Sequence, residues 1–139
     1  MCDSTERRNT YFVMSSISRA GIFIDIKALL EYTDRMVGEM TIADRRRYGD
    51  DLVRLNLAMI GDFTIAFHRK EDKHQYIDQL EVDFESYKAL MEFCWASNKF
   101  SRIQKRKRRR KHKHFMELMA KLQVGIVKWS ASVPKQVAA

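Results

Sequence analysis

Apolar residues recur along most of this chain in alternating steps of three and four, which is the spacing of one face of an α-helix. The first series predicts an amphipathic helix over about residues 17–40. Its members are Phe23, Ile26, Leu30, Thr33, Val37 and Met40, with Ile22, Leu29 and Met36 beside them. A second helix is predicted to end near Arg69. Thr41 and Asp44 have the chemistry of its N-cap, and Gly49 allows a kink or a later start.

The second and third helices have well-marked apolar faces. The face of the second consists of Leu52, Val53, Leu55, Met59, Ile60, Phe63, Ala66 and Phe67. Asn56 falls on that face and needs a hydrogen-bond partner if it is buried. The third helix is predicted over about residues 71–98. Its face consists of Ile77, Leu80, Phe84, Tyr87, Met91 and Cys94.

The apolar face of the fourth helix changes character toward its N-terminal end. Ser101 is the predicted N-cap. The apolar part of the face consists of Phe115, Leu118, Leu122, Gly125 and Trp129, and the same track continues backwards to Lys111, Arg108 and Gln104. A dry core would not hold unpaired cations. We therefore expect one of three arrangements for the N-terminal half of the fourth helix. It extends past the core, it faces water or a partner, or the helix begins after Ser101.

Four helices of similar length joined by short links predict one all-α domain, an antiparallel up-down-up-down four-helix bundle over residues 17–131. The 139 residues include only five Gly and one Pro, which favours helices over a sandwich or barrel rich in turns. Residues 1–16 and 132–139 are predicted to be flexible ends.

Composition also bears on location. No stretch approaches the roughly 18 apolar residues of a membrane-spanning helix, and the apolar run Tyr11–Met14 is too short for a signal peptide. Two cysteines, Cys2 and Cys94, are too few for a disulfide scaffold. We therefore expect a cytoplasmic, reducing location with no membrane contact.

The positive charge of the chain is concentrated in residues 102–113, here called the basic strip. It contains nine of the 26 Lys and Arg residues and no acid. The nine are Arg102, Lys105, Arg106, Lys107, Arg108, Arg109, Arg110, Lys111 and Lys113. The rest of the chain has 17 basic and 18 acidic residues, so the formal charge of +8 arises in the strip. A dense block of one sign repels itself, and nucleic-acid phosphate is its commonest counterpart.

Three interpretations of the basic strip remain open. It is a solvated helix start without a ligand, a nuclear localisation signal, or a phosphate-binding surface. Phosphate binding is the interpretation that we favour, because nine charges in twelve residues give contacts on any face presented to a nucleic acid. No zinc-finger or aromatic base-reading motif is present, so little sequence preference is expected.

A second basic cluster, Arg45, Arg46 and Arg47, lies near the start of the second helix. In an antiparallel bundle, the starts of the second and fourth helices lie at the same end, so the two clusters could form one nucleic-acid-binding patch. The alternative is a solvated loop whose charge is offset by Asp44, Asp50 and Asp51.

Catalytic and metal-binding patterns are weak. Tyr48–Asp51 spells the paired-aspartate motif of polymerases, but that motif needs a hairpin between strands and a third carboxylate. The pairs His68/His74 and His112/His114 lack metal-ligand spacing, and no activated Ser or Cys motif occurs. We expect a protein that is not an enzyme and that holds no metal or cofactor.

Several short segments resemble the accessory variability determinant (Avd) proteins of diversity-generating retroelements, which are related to four-helix-bundle proteins encoded in 23S rRNA intervening sequences. The resemblance covers about residues 18–132. The segments are Asp25–Tyr32, Arg47–Leu52, Phe63–Phe67, Tyr87–Phe93 and Val124–Ser130. The chain departs from the usual family pattern in lacking a Pro before the second helix and in having Val127-Lys128 where Gly-Gly is common.

This resemblance implies a homopentameric barrel of bundles. It also implies a non-enzymatic accessory that binds the reverse transcriptase and the template RNA or cDNA of a retroelement and supports mutagenic retrohoming. Assembly would cover apolar flanks that one bundle leaves open, for which Ile22, Leu29, Met36 and Phe67 are the expected residues. The alternative is a protein-interaction module of the intervening-sequence type, whose basic strip binds an acidic protein.

Overall fold

The computed structural model describes residues 20–69 and 71–133, which form four long helices and no strand. The helices are α1 (Gly21–Val37), α2 (Asp50–His68), α3 (Lys73–Ala96) and α4 (Lys105–Ser132). A short helical turn, Ile42–Asp44, and a π-helical turn, Arg45–Gly49, lead directly into α2. The expected all-α class is confirmed. Residues 17–19 of the predicted first helix, the predicted flexible end 1–16 and residues 134–139 of the predicted flexible end 132–139 lie outside the described residues. Ser132, at the start of the predicted C-terminal end, is the last residue of α4.

The four helices surround one apolar core. Helix α1 packs against α2 and α4, and α3 packs against the same two helices, with the most extensive contact between α2 and α3. This arrangement is a four-helix bundle. None of the described helices is both long enough and apolar enough to cross a membrane.

The apolar face of α3 is as predicted, whereas that of α1 is rotated. All six predicted residues of α3, from Ile77 to Cys94, are buried. In α1, Leu29 and Met36 lie in the core, and Phe23 and Leu30 are only half-buried. The expectation that Leu29 and Met36 form open flanks is therefore wrong, because α1 is covered on two sides, by α2 and α4.

The connection between α1 and α2 is tightly built. Thr41 is an N-cap as predicted, since its side chain accepts a hydrogen bond from the Asp44 backbone N–H at 3.2 Å. Gly49, in the π-helical turn, is buried against the end of α1. A Cβ atom on Gly49 would lie 2.8 Å from Cγ1 of Val37, so the close approach of the two segments requires glycine here.

Helix α4 begins at Lys105, and the prediction of Ser101 as its N-cap is wrong. The link between α3 and α4, residues 97–104, instead buries Phe100 and Ile103, which are 2% and 4% exposed. Residues 105–114 of α4 contain no apolar side chain. The two buried link residues thus fill the core where the first turns of α4 provide nothing apolar.

Candidate nucleic-acid interface

The basic strip runs from the link into the first half of α4, where its charges oppose helix formation. The first turn of α4 contains no acidic residue, and its N-cap, Gln104, makes no side-chain cap. Cations at a helix N-terminus face the positive end of the helix dipole. Like charges also recur at i,i+4 spacing, as in Arg106 and Arg110, at a cost of about 0.2–0.5 kcal/mol per pair. This segment is therefore helical in spite of its charge.

Contacts with α1 hold the basic half of α4 in place. The Tyr32 hydroxyl donates a hydrogen bond to the backbone carbonyl of Lys111 at 3.1 Å. The Tyr32 ring also packs against the rings of His114 and Phe115, with centroid distances of 5.6 and 6.1 Å. Burial raises the pKa of Tyr32 strongly. The phenol therefore keeps its proton and remains a donor across the physiological range.

Most cations of the basic strip are exposed. Those on the surface are Arg102, Lys105, Arg106, Lys107, Arg109, Arg110 and Lys113. Arg108 and Lys111 are half-buried, as expected from their place on the core-facing track. Arg108 Nε donates to the backbone carbonyl of Ile103 at 3.3 Å, which orients its guanidinium without neutralising it.

Within residues 20–69 and 71–133, no carboxylate oxygen lies within 4.0 Å of a cationic nitrogen of the basic strip. The ion pairs of the described chain are elsewhere, and they join Arg54 to Asp51, Arg69 to Asp72, His74 to Asp78, Lys99 to Asp44 and Lys121 to Asp25. No acid of the described chain thus forms an ion pair with a cation of the strip.

The second basic cluster divides into two parts. Arg45 is half-buried, and its guanidinium donates to the backbone carbonyls of Val37 and Gly38 at 3.3 and 3.4 Å. These carbonyls lie at the C-terminal end of α1, where a cation is favourable. Arg46 and Arg47 are exposed. Arg45 therefore stabilises the C-terminal end of α1, while Arg46 and Arg47 face solvent.

The two basic clusters are attached to one end of the bundle. The backbone N–H of Arg102 donates to the carbonyl of Glu39 at 3.2 Å. Lys99 Nζ lies 3.9 Å from Oδ1 of Asp44 and 5.5 Å from the ring centre of Tyr48. The link that begins the basic strip thus packs on the connection that contains the second cluster.

Two cavities flank the basic half of α4. One, of about 520 Å³, lies between the end of α3, the link and α4, and its lining includes Trp95, Arg108 and His112. The other, of about 450 Å³, lies between α1 and α4, and its lining includes Tyr32 and Lys113. The basic half of α4 is therefore open on both sides.

The aromatic residues of this region were not predicted as site residues. Trp95 comes one position after Cys94, so its side chain is displaced by about 100° from the buried face of α3. Phe100 was assigned to no element. One signal could have identified them. It is an aromatic residue that lies just off a core face and a few residues before a basic run.

The other candidate motifs occupy ordinary structural positions. Tyr48–Asp51 spans the π-helical turn and the start of α2 rather than a hairpin, and Asp51 pairs with Arg54 at 3.4 Å. His74 Nδ1 lies 3.5 Å from Oδ1 of Asp78. Among the residues that the structure describes, no three His, Cys, Asp or Glu side chains form a group that could hold a metal ion. Cys94 is buried, and Cys2 lies outside the described range.

Comparison of this chain with protein-family models, with curated proteins and with solved structures found no match.

Proposed function

We propose that this chain is a non-enzymatic, basic accessory protein of a diversity-generating retroelement, an Avd protein that acts in the cytoplasm. In this role it binds template RNA or cDNA together with the reverse transcriptase and supports mutagenic retrohoming. One observation carries the nucleic-acid part of the proposal. A strip of nine cations, most of them exposed, pairs with no carboxylate among the described residues.

A polyanion would relieve two unfavourable features of the free protein. It would neutralise the repulsion among cations at i,i+4 spacing, and its phosphates would accept hydrogen bonds at the start of α4, whose first turn lacks an acid. The resemblance of five segments to Avd proteins supports the choice of retroelement nucleic acid and reverse transcriptase as the partners. An adjacent reverse-transcriptase gene with paired template and variable repeats is expected, and its absence would contradict this assignment.

The antiparallel up-down-up-down order belongs to the same proposal. Three contacts between α1 and α4 support opposite directions for these helices. Tyr32 contacts His114, Asp25 pairs with Lys121 at 3.4 Å, and a Cβ on Gly125 would lie 3.3 Å from Ile22. In these three contacts, the residue number in α1 decreases as the residue number in α4 increases.

We also propose that the bundle assembles into a pentamer. Each long helix exposes at least one large apolar side chain that its own bundle leaves in water. These are Ile24 on α1, Leu57 and Ile65 on α2, Val82 and Phe93 on α3, and Met116, Val124 and Val127 on α4. Light scattering should give a mass of about 83 kDa, five times the 16.5 kDa of one chain. A monomer at micromolar concentration would contradict assembly.

A pair of charge-matched variants tests the nucleic-acid interface. In the strip variant, Arg106, Lys107, Arg109 and Arg110 are replaced by Gln, and all four are exposed. In the control variant, Lys27, Arg54, Lys121 and Lys128 are replaced by Gln, and these are also exposed. Removing four positive charges lowers the formal charge from +8 to +4 in both.

Fluorescence anisotropy with labelled RNA measures the effect. The strip variant is expected to lose most of its affinity for RNA, and the control variant to keep it, with the helical circular dichroism signal unchanged in both. Equal losses would show that net charge alone attracts RNA. Full binding by the strip variant would place the interface elsewhere.

An acidic protein partner is the alternative for the same strip. After purification, the ratio of absorbance at 260 nm to that at 280 nm, measured with and without nuclease treatment, distinguishes the two. Nucleic acid bound to the strip raises the ratio until nuclease removes it. A low ratio, together with no RNA binding in the anisotropy assay, would favour the acidic protein.

A further inference from the structure

The cavity between α3, the link and α4 combines an aromatic wall with fixed cations. Trp95 packs against Phe100, with ring centres 4.9 Å apart, and against His112, with centres 5.2 Å apart and planes at 82°. Phe100 is 2% exposed and anchors this group in the core. Trp95 is half-buried and His112 is exposed, so aromatic surface remains open to the cavity.

Arg108 and Arg109 lie on the α4 side of the same cavity. Because the hydrogen bond from Arg108 Nε to Ile103 already orients the guanidinium, less conformational freedom is lost when it binds an anion. Arg109 is exposed, and neither arginine lies within 4.0 Å of a carboxylate in the described chain. This side of the cavity is suited to a phosphate group.

Glu92 lies on the opposite side, at the end of α3, and is exposed. It is the single acidic residue in the lining. A carboxylate repels phosphate but accepts hydrogen bonds from an amino group, such as the exocyclic amino group of a nucleobase. The cavity thus has a hydrogen-bond acceptor on its α3 side and hydrogen-bond donors on its α4 side.

We propose that this cavity binds one unpaired nucleotide of a single-stranded RNA or DNA. The base packs against Trp95 and His112, its amino group donates to Glu92, and its phosphate binds Arg108 and Arg109. This inference rests on the proposed binding of nucleic acid by the basic strip and adds a preference for single strands. The volume of about 520 Å³ lies within the range of small-ligand sites. In a duplex the bases are stacked and paired, so only an unpaired base can enter.

The two tryptophans of the chain allow a direct test. Replacing Trp129 by Phe keeps an aromatic ring beside Phe63, whose centre lies 5.2 Å from that of Trp129, and leaves Trp95 as the only tryptophan. This variant is titrated with a labelled single-stranded RNA and with a labelled duplex of the same length. Anisotropy of the label reports binding, and tryptophan emission reports contact at Trp95.

Single-stranded RNA is expected to quench Trp95 emission with the same midpoint as the rise in anisotropy, while the duplex binds without quenching. If both RNAs bind and neither changes the emission, the cavity proposal is overturned while the proposed function stands. Equal quenching by both also overturns it. If neither RNA binds, both proposals fail.

Base selection tests the role of Glu92. The native chain is expected to bind oligo(C) several-fold more tightly than oligo(U), because cytosine has an exocyclic amino group and uracil has none. Glu92→Gln is expected to reduce this ratio to near one, with little change in binding of duplex RNA. Equal affinities of the native chain for the two oligomers would overturn the contact with Glu92.

Discussion

Thr33 and Asn56 are polar residues that are fully buried in the core, and they differ in whether their side chains are hydrogen-bonded. The Thr33 hydroxyl contacts the Leu29 carbonyl at 2.7 Å and is hydrogen-bonded to the Tyr87 hydroxyl. Asn56 is also 0% exposed, but neither atom of its amide has a partner among the described residues. The sequence pattern placed Asn56 on a buried face and required a partner, and the structure provides none. Leaving a buried polar group unpaired costs about 1–3 kcal/mol.

Asn56→Leu is therefore expected to stabilise the fold. Leucine has the same branching at Cγ and no polar atom, so the free energy of unfolding should rise by about 1 kcal/mol. Thr33→Val is the matched substitution, and it should lower the free energy of unfolding by about 1–2 kcal/mol because it leaves the buried Tyr87 hydroxyl without Thr33 as a partner. Urea denaturation measures both. Destabilisation by Asn56→Leu would show that the amide is satisfied in solution.

At the scale of elements, the π-helical turn before α2 depends on a tertiary contact that the sequence pattern does not reveal. Gly49→Ala would bring Cβ to 2.8 Å from Val37 and 3.3 Å from Cγ of Arg45. Since the Val37 side chain is β-branched and stiff, we expect a loss of about 1–3 kcal/mol.

Gly61→Ala on α2 is the control, because a Cβ there meets no atom within 4 Å. It should stabilise the protein by about 0.5–1 kcal/mol through helix propensity. Thermal unfolding followed by circular dichroism distinguishes the two glycines. Similar melting shifts for both variants would contradict the close packing of Gly49 on α1.

The packing of α2 on α3 brings two carboxyl groups together. Burial, together with the nearby charge of Asp83, raises the pKa of Asp62 from 3.8 to about 7, and burial is the larger cause. The folded state thus holds a proton that the unfolded state releases. The corresponding stabilisation is complete below about pH 3.8 and is lost as the pH rises through about 7.

Asp62→Asn should remove this loss. Relative to the native chain, the variant is expected to gain stability progressively as the pH rises from about 3.8 to about 7, and the difference is expected to level off above about pH 7. Glu85→Gln, an exposed substitution on α3, is the control and should follow the native curve. Parallel curves for Asp62→Asn and the native chain would contradict the raised pKa.

The sequence pattern predicted well the helices that have a single apolar face. It predicted poorly the segments that join the helices. The face of α3 was predicted residue by residue because it is narrow. The face of α1 was displaced because α1 contacts two neighbours and has apolar residues on both sides of the predicted stripe. Burial of Ile103 in the link overrode the capping tendency of Ser101. The location of the basic strip followed from sequence, but the cavity beside it required the positions of Trp95 and Phe100.

At the scale of the whole molecule, a nearly neutral bundle presents a concentrated positive strip at one end. Arg46 and Arg47 extend this surface, since the link and the connection between α1 and α2 are in contact. Replacing Arg46 and Arg47 by Gln should weaken RNA binding modestly. The slope of the logarithm of affinity against the logarithm of salt concentration should become smaller by about two, one for each cation removed. An anisotropy titration at several salt concentrations measures the change. An unaltered salt dependence would show that the second cluster lies outside the interface.

The salt dependence of RNA binding by the native chain and by the strip variant is the measurement that tests the central claim most directly. With about six phosphate contacts, native affinity should fall roughly a thousandfold between about 50 and 200 mM salt. The strip variant should have a logarithmic slope smaller by about four, one for each cation removed, while the control variant keeps the native slope. A flat salt response, or equal slopes for the native chain and the strip variant, would contradict the account.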